Sequence, residues 1–413
     1  MPWKELDVMD QRTEFVLRVL RNVESFGDVC REYGISRKTG YKWKERFLSE
    51  GLAGLGNQSR RPATSPRELK EAMVCQIVKL KLAHPSWGAR KLRAVLERTL
   101  PKADLPSESS FKRILDKAGL VEHRRRRPAT EGGRVQTPLR AERPNHVWTI
   151  DFKGWWYTRN SRRFEPLTIR DDFSRYLLCA QAMDDSRTDT VQKQMAGVFE
   201  RYGLPEIIRS DNGSPFAAAN SPLGLSRLSA WWLSLGINLD RIQPGRPDQN
   251  GGHERMHRDL AWEIERRADS DKPTQQASLD VWRRTFNEER PHEALEMRVP
   301  NDVYHKSPRR FDPKPVELIY PAGYRVRKVS QRGAVKIENI LVGVSEALRG
   351  LEIGLEPVTG DRLAVWYCQL CLGHIDLTIQ KFKSVTSPAP TTTAASSFAE
   401  RKDQSQNQKK FAP

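Results

Sequence analysis

The stretch Asn145-His146-Val147-Trp148-Thr149-Ile150-Asp151-Phe152 decides the fold, because at Asn145 a helical N-terminal pattern gives way to strands. Two further apolar stretches follow it, at 165–171 and 176–182, and a helical pattern lies near 188–202. Short buried strands are then expected at 206–210 and 236–241, with helix between them. This β-β-β-α-β-α-β-α order predicts a mixed sheet flanked by helices.

Three acidic residues of this region lie in separate short motifs: Asp151 in Trp148-Thr149-Ile150-Asp151-Phe152, Asp211 in Ser210-Asp211-Asn212-Gly213, and Glu254 in Asn250-Gly251-Gly252-His253-Glu254-Arg255. Asp151 falls in the first predicted strand and Asp211 just after the fourth, so adjacent strands would bring them together. Glu254 begins a helix after the Asn250-Gly251-Gly252 turn, and from there its side chain can reach the other two carboxylates. Singly, each acid suits an ordinary turn, strand or helix start. Jointly, they favour one site.

Three converging carboxylates are typical of a centre for metal-dependent phosphodiester chemistry. Two divalent ions about 3.5–4 Å apart activate the attacking oxygen and stabilise the leaving oxygen, and carboxylates are their natural hard-oxygen ligands. We therefore expect Asp151, Asp211 and Glu254 to be catalytic and to hold two Mg²⁺ ions, for which Mn²⁺ can substitute. Asp151 is expected to bridge both ions.

The composition favours nucleic acid as the partner. The 413 residues include 70 Lys and Arg against 52 Asp and Glu, a formal charge of +18. No apolar run approaches bilayer length, Met1–Glu5 lack a signal-peptide pattern, and five scattered cysteines fit a reducing compartment. We expect a cytoplasmic protein with no membrane partner and no nucleotide cofactor.

Residues 1–58 are predicted to form a helix-turn-helix domain. The turn Gly34-Ile35-Ser36 supplies a helix N-cap at Ser36, and the third helix, 37–48, carries basic and aromatic residues. Tyr41, Trp43 and Phe47 are expected to offer aromatic surface. The predicted DNA-contacting residues are Arg37, Lys38, Tyr41 and Lys42. The alternative is a solvated basic face on an ordinary three-helix bundle.

Residues 66–127 are predicted to form a second helical, helix-turn-helix-like unit, with helices near 67–83, 89–100 and 107–118. Its last helix, capped by Ser107, exposes Lys112 and Arg113 as a second candidate DNA reader. Arg124, Arg125, Arg126 and Arg127, with a basic linker at 128–144, are expected either to track phosphates or to act as a solvated tether.

The C-terminal region shows short apolar stretches separated by glycines. They lie at 325–329, 336–342, 351–355, 363–367 and 373–379. Residues 320–380 are accordingly predicted to form a small β-barrel, and 384–413, rich in Ser, Thr, Ala, Pro, Gln and Lys, a disordered tail. The predicted fold class is multidomain α+β.

Several segments carry a resemblance to a known family: Leu167-Thr168-Ile169-Arg170-Asp171-Asp172-Phe173-Ser174-Arg175-Tyr176, Tyr202-Gly203-Leu204-Pro205, Asp211-Asn212-Gly213-Ser214-Pro215-Phe216, and Phe286-Asn287-Glu288-Glu289-Arg290-Pro291-His292-Glu293-Ala294-Leu295. Residues 145–311 resemble the integrase core of retroviral-integrase-like DDE transposases from bacterial insertion sequences, and the whole chain resembles insertion-sequence group 481. The resemblance implies a ribonuclease-H-like core and carries the family's catalytic acids onto Asp151, Asp211 and Glu254.

The implied function is a nucleoid-associated bacterial transposase. It would bind the ends of its element as a homo-oligomer, free a 3′-hydroxyl and join it to target DNA. The alternatives are a non-catalytic, transposase-derived DNA-binding regulator and a plain metal nuclease.

The chain departs from the family pattern in two places. The segment between Asp211 and Glu254 is longer than in retroviral relatives, with the surplus expected in 217–226. Gly251-Gly252 stands where relatives often have Gly-Lys, which removes a possible phosphate contact.

Overall fold

The computed structural model describes residues 7–57, 69–101, 104–122, 139–243, 247–314, 317–358 and 360–385. The chain divides into two compact units, Met1–Lys70 and Glu71–Pro413. None of the described helices has both the length and the apolar character that crossing a membrane requires.

The first unit is a three-helix bundle. It contains α1 (Val8–Arg21), α2 (Phe26–Glu32), α3 (Arg37–Glu50) and a short 3₁₀ helix at Gly51–Leu55. The Ser36 side chain accepts a hydrogen bond from the Thr39 backbone N–H at 3.2 Å, so the predicted N-cap is confirmed. Trp43 is only 9% exposed and packs in the core with Phe15 and Val29, so its predicted role as aromatic surface is wrong.

A second three-helix unit begins the larger compact unit. It comprises α4 (Glu71–Ala83), α5 (Ala89–Thr99) and α6 (Glu108–Lys117), around a core that includes Trp87, Leu92 and Phe111. The Ser107 side chain accepts a hydrogen bond from the Ser110 backbone N–H at 3.3 Å, which caps α6 as predicted.

This second helical unit packs on the following domain through polar contacts. Arg90 lies 3.2 Å from Glu293, Arg98 pairs with Asp302, and the Ser86 hydroxyl donates to Glu263. The helical pattern predicts the helices of this unit, but nothing in it indicates these contacts.

A mixed sheet forms the next domain. Its elements are β1 (Val147–Phe152), β2 (Trp156–Tyr157), β3 (Arg163–Asp171), β4 (Leu177–Met183), α7 (Thr188–Tyr202), β5 (Ile207–Ser210), α8 (Arg227–Ser234), β6 (Asn238–Arg241), α9 (Gly251–Glu263) and α10 (Lys272–Glu288). β3 is antiparallel to β1, β2 and β4, whereas β1, β5 and β6 run parallel. The predicted element order is confirmed, and the short edge strand β2 is an addition.

Strand alternation gives β1 two different faces. Trp148 and Ile150 are fully buried in a core with residues of α7 and α8. Thr149 and Asp151 therefore point to the opposite face. There α9 supplies the contacts, since Thr149 is hydrogen-bonded to His253.

The segment before β1 is packed more closely than a linker. Of the predicted linker 128–144, the structure describes residues from Leu139 onward. Ala141 is 8% exposed, Arg143 lies 2.8 Å from Glu206, and the Leu139 carbonyl accepts from Arg209. For residues 139–144 the prediction of a flexible linker is therefore wrong.

The C-terminal region forms a five-stranded antiparallel sheet and a separate hairpin. The sheet joins β7 (Arg325–Lys328), β10 (Glu352–Pro357), β11 (Arg362–Tyr367), β12 (Leu370–Asp376) and β13 (Lys381–Ser384), and the hairpin joins β8 (Ala334–Ile337) and β9 (Ile340–Gly343). The order β13-β12-β11-β10-β7 leaves the two end strands unpaired with each other within the described residues. A barrel requires that closure, so the predicted barrel is not confirmed.

Two boundaries in this region differ from the prediction. The predicted stretch 336–342 is not one strand: it contains the end of β8, a turn at 338–339 with Glu338 at a positive φ of 54°, and most of β9. Strand β13 runs to Ser384, so the ordered sheet passes the predicted limit of 380 and includes the first residue of the predicted tail. The Tyr367 hydroxyl donates to the Ala230 carbonyl of α8 at 3.0 Å, which anchors the sheet to the mixed-sheet domain.

Candidate metal centre

Asp151 and Asp211 occupy neighbouring strand ends. β1 and β5 pair in parallel with Thr149 opposite Arg209, and each acid lies two residues further along its own strand direction. Parallel neighbours in the same register place both carboxylates at one edge of the sheet. The predicted adjacency of the two strands is thereby confirmed. Beyond β5, Asp211 accepts a hydrogen bond from the Gly213 N–H at 3.1 Å, which fixes the turn.

Glu254 lies in the first turn of α9, where its side chain is exposed. Its negative charge acts on Asp151, as does that of Asp211. The tightest group of metal-binding side chains among the described residues is a different one: ligand atoms of Asp151, His253 and His257 lie within 4.8 Å of one another.

The environment of Asp151 opposes its ionisation. The pKa of this carboxyl is raised to about 7. Burial is the main cause, the charges of Asp211 and Glu254 act in the same direction, and a hydrogen bond from the Phe152 backbone opposes them. The side chain is 25% exposed, which leaves it reachable from solvent. A divalent cation would relieve the repulsion, so the donor set fits such an ion.

Arginines line a cavity at the start of α9. A cavity of about 240 Å³ is lined by Leu139, Arg140, Arg170, Asp172, Arg175, Arg209 and residues 249–252. Arg170 is 3% exposed and lies 2.9 Å from Asp172. A Cβ on Gly252 would stand 2.6 Å from the Arg170 guanidinium, so this glycine makes room for the buried arginine.

Asp171 and Asp172, which the prediction leaves out of the triad, have other roles. Buried Asp171 accepts hydrogen bonds from the backbone of Asn145 and Ser174, each at 2.7 Å. Asp172 pairs with Arg170, Arg175 and Arg209. Both acids therefore hold the turn after β3.

Two buried histidines of α9 complete the site, and the sequence prediction missed them. His253 places Nδ1 2.8 Å from the Thr149 hydroxyl and Nε2 2.7 Å from the Thr168 hydroxyl. His257 places Nε2 2.8 Å from Thr168 and Nδ1 3.8 Å from Asp151 Oδ2. The available signal was the i, i+4 spacing of His253 and His257, which puts both rings on one helix face next to Glu254.

Both histidines are held neutral. Burial is the main cause, and it lowers the pKa of His253 well below its usual value and that of His257 to about 3. The charges of Lys153 and Arg170 act on His257 in the same direction. A neutral imidazole has one nitrogen that donates and one that accepts, so each ring can link a donor to an acceptor.

Those predicted DNA-contacting residues that the structure describes are not among the residues that form this site. Arg37, Lys38, Tyr41 and Lys42 are exposed on α3, and Lys112 and Arg113 are exposed on α6. Tyr41 stacks on Phe26 at a centroid distance of 4.2 Å. Arg124, Arg125, Arg126 and Arg127 lie outside the described residues.

The sequence matches two kinds of family model. An integrase core domain matches residues 141–247, and a second model of the same description matches 235–300. A helix-turn-helix domain matches residues 11–63, and a homeodomain-like domain matches 39–115.

Similar proteins come from insertion elements and from retroviral polyproteins. A 31.7 kDa protein of insertion element IS407 from Burkholderia multivorans is 28% identical over 257 residues, which is 62% of this chain and 88% of that protein. A 39.2 kDa protein of insertion element IS476 from Xanthomonas euvesicatoria is 29% identical over 246 residues, covering 58% of this chain and 67% of that protein. The Gag-Pol polyprotein of baboon endogenous virus is 28% identical across 56% of this chain and 12% of the polyprotein.

Solved structures with a matching region include the HTLV-2 integrase catalytic core domain in complex with magnesium, at 15% identity and a TM-score of 0.32, covering 40% of this chain and 100% of that one. The simian T-cell lymphotropic virus intasome, in complex with PP2A regulatory subunit B56 gamma, matches at 18% identity and a TM-score of 0.36, covering 70% of this chain and 91% of that one.

Proposed function

Since the chain belongs to the bacterial insertion-sequence transposases of the integrase-core class, with helix-turn-helix domains before a ribonuclease-H-like core, we propose that it cuts and joins DNA. It would bind the ends of its element, hydrolyse a phosphodiester to free a 3′-hydroxyl, and join that hydroxyl to target DNA. One observation carries the proposal: Asp151 and Asp211 lie at the ends of neighbouring parallel strands, and the charges of Asp211 and Glu254 both act on Asp151.

The proposed catalytic residues and metal ligands are Asp151, Asp211 and Glu254. When bound, two Mg²⁺ ions would activate the attacking oxygen and stabilise the leaving oxygen, and Mn²⁺ would substitute. Asp151 would contact both ions, because its carboxylate senses both of the other acids. Asp211 and the exposed Glu254 would each complete the coordination of one of the two ions.

Residues of the chain would also position the DNA. The arginine-lined cavity at the start of α9 favours a polyanion, as does the overall charge of +18. The side chains of Arg37, Lys38, Tyr41 and Lys42 would contact the element end from α3, and those of Lys112 and Arg113 would contact it from α6. Arg124–Arg127 would track phosphates.

The wider organisation is also proposed. The division is a helix-turn-helix domain at 1–58, a second helical domain at 66–127, a linker from 128 that ends before the packed segment 139–144, a core at 145–311, and a C-terminal domain that begins at 320 and includes β13 up to Ser384. The active assembly would be a homo-oligomer with both DNA partners, in the cytoplasm at the nucleoid.

A non-catalytic regulator derived from a transposase is the alternative. Such a protein would have no physical need for a largely buried Asp151 beside two further acids. Burial and the charges of Asp211 and Glu254 disfavour the ionised form of Asp151, whereas a bound divalent ion would favour it. The acid cluster therefore favours the enzyme.

The test is a reaction of full-length protein with labelled element-end DNA and a supercoiled target in Mg²⁺. The end sequences would come from inverted repeats that flank the gene. A transposase yields a cleaved end and a product in which that end is joined to the target. Cleavage without joining would indicate a plain nuclease, and specific binding without either product would indicate the regulator.

A further inference from the structure

The hydroxyl of Thr168 lies at the centre of a buried network beneath α9. Its oxygen is 3.0 Å from the Asp151 backbone carbonyl, 2.7 Å from His253 Nε2 and 2.8 Å from His257 Nε2. Thr168 itself is fully buried, and it faces Asp151 because the two residues are paired across β1 and β3.

The donor and acceptor roles in this network depend on the tautomers of the two histidines. In one arrangement Thr168 donates its single proton to the Asp151 carbonyl, and its oxygen accepts from Nε2–H of both His253 and His257. Nδ1 of His253 then faces the Thr149 hydroxyl at 2.8 Å, and that hydroxyl also lies 3.4 Å from the Arg170 carbonyl. Both nitrogens of His253 are therefore engaged within the protein.

The same arrangement leaves Nδ1 of His257 without a proton. Its lone pair faces Asp151 Oδ2 at 3.8 Å, which is too long for a hydrogen bond. A cation between these two atoms would be stabilised by both of them, and Asp151, His253 and His257 are a group that could hold a metal ion. Two ligands about 2.1 Å from one ion lie within ~4 Å of each other, so the spacing suits a shared ion.

We propose that Nδ1 of His257 is a further ligand of the ion held by Asp151, so that the centre has one nitrogen donor beside its carboxylates. The inference rests on the metal centre of the proposed function. Imidazole suits transition metals, whereas Mg²⁺ favours oxygen donors. His257 therefore shifts the preference of this centre away from Mg²⁺ and toward divalent transition metals, among which Mn²⁺ is the probe used below.

The spacing His253-Glu254-x-x-His257 also occurs in zinc proteases, where both imidazoles bind one ion. Here the hydroxyl of Thr168 occupies the position between the two Nε2 atoms. Only the outward Nδ1 of His257 is directed at an acid, so the geometry points to a single nitrogen ligand rather than a pair.

The test is pulsed electron paramagnetic resonance on the full-length protein, with Mn²⁺ as the probe and protein in excess. Nitrogen bound directly to Mn²⁺ produces a ¹⁴N modulation that carboxylate ligands do not. We expect this signal in the wild type, its loss in His257→Asn, and its retention in His146→Asn. His146 is a matched control, because its ring accepts a hydrogen bond from the Glu142 backbone elsewhere in the same domain.

A second readout is the dissociation constant for Mn²⁺. His257→Asn should weaken Mn²⁺ binding by about tenfold or more. Tenfold is the lower end of the affinity loss seen even when a residue that only hydrogen-bonds to a metal ligand is removed. Mg²⁺ binding should weaken less. His257→Gln, which keeps a polar side chain of similar length without an imidazole, provides the same comparison where His257→Asn does not fold.

The outcomes separate this inference from the proposed function. Mn²⁺ bound through oxygen alone would overturn the role of His257 and leave the acid centre in place. A nitrogen signal that persists in both His257 variants would assign the ligand to another imidazole and would also overturn the inference. If Mn²⁺ binding does not depend on Asp151, both the role of His257 and the proposed acid centre are overturned.

Discussion

The acid cluster at the end of β1 and the basic helix α3 both concentrate charge of one sign, but they do so in different surroundings. Asp151 is three-quarters buried, and its neighbours Asp211 and Glu254 disfavour its ionised form. Arg37, Lys38 and Lys42 are exposed, so water solvates each charge separately. A carboxyl as buried as Asp151 favours a specific counter-ion, whereas an exposed helix can exchange small ions for phosphates. Substitutions should therefore abolish catalysis at the acid cluster and weaken DNA binding by degrees on α3.

The largest effect is expected at the acids themselves. Asp211→Asn and Asp151→Asn keep the shape of the side chain but remove a charge, so each variant should bind element ends normally and lose cleavage and strand transfer. Asp151→Asn should be at least as damaging, because this carboxylate would contact both ions.

End binding measured by gel shift and cleavage measured on labelled DNA would check this result. Asp189→Asn is the control, because Asp189 is 85% exposed on α7 and should leave both activities unchanged. Normal cleavage by Asp211→Asn would remove this residue from the centre.

The burial of Asp151 predicts a pH effect on stability in metal-free protein. The folded pKa of about 7 exceeds the unfolded value of 3.8, so the folded state keeps a proton that the unfolded state releases between these values. Stability from this group is thus present at low pH and lost as the pH rises toward 7. Asp151→Asn should gain melting temperature over the wild type as the pH rises.

Melting temperatures in excess chelator at pH 5 and pH 8 would measure that gain. Asp189→Asn should follow the wild type at both values. A difference between Asp151→Asn and the wild type that does not change with pH would show that Asp151 ionises normally in the folded protein.

A smaller effect is expected on α3. Lys42→Ala should cost about 1–3 kcal/mol in binding to element-end DNA if Lys42 reads a base edge, and the loss for random DNA should be smaller. Affinities for both DNAs across a salt series would measure it. Lys193→Ala, at an exposed position on α7, is the control. Equal losses of affinity for the two DNAs would show that Lys42 contacts a phosphate and not a base edge.

The smallest effect is expected at the C-terminus. Removal of residues 386–413 should leave melting temperature and cleavage unchanged, because these residues have the composition of a segment that buries little apolar surface. Truncation before Lys381 should lower the melting temperature, because it removes β13, which pairs with β12. Equal melting temperatures for the two truncations would contradict the assignment of β13.

The sequence predicts features that depend on local pattern. The helix Thr188–Tyr202 has the predicted bounds, and Asp211 follows a buried strand as expected. The N-caps at Ser36 and Ser107 were also predictable, because a cap depends on residues three positions apart.

Features that depend on long-range packing were not predictable. His253 meets Thr168 only because β1 pairs with β3 and α9 covers the same face. The burial of Trp43 depends on how α1 and α2 pack against α3, and an aromatic residue in an amphipathic helix can occupy either side. The open C-terminal sheet likewise depends on strand pairing, which short apolar stretches do not specify.

The central claim is that Asp151, Asp211 and Glu254 form one metal centre that cuts DNA. The most direct measurement is cleavage of labelled element-end DNA by purified Glu254→Gln protein in Mg²⁺, beside the wild type with and without excess chelator. The account predicts cleavage by the wild type in Mg²⁺ alone, and none by Glu254→Gln or in chelator. Substantial cleavage by Glu254→Gln, or full wild-type activity in excess chelator, would contradict it.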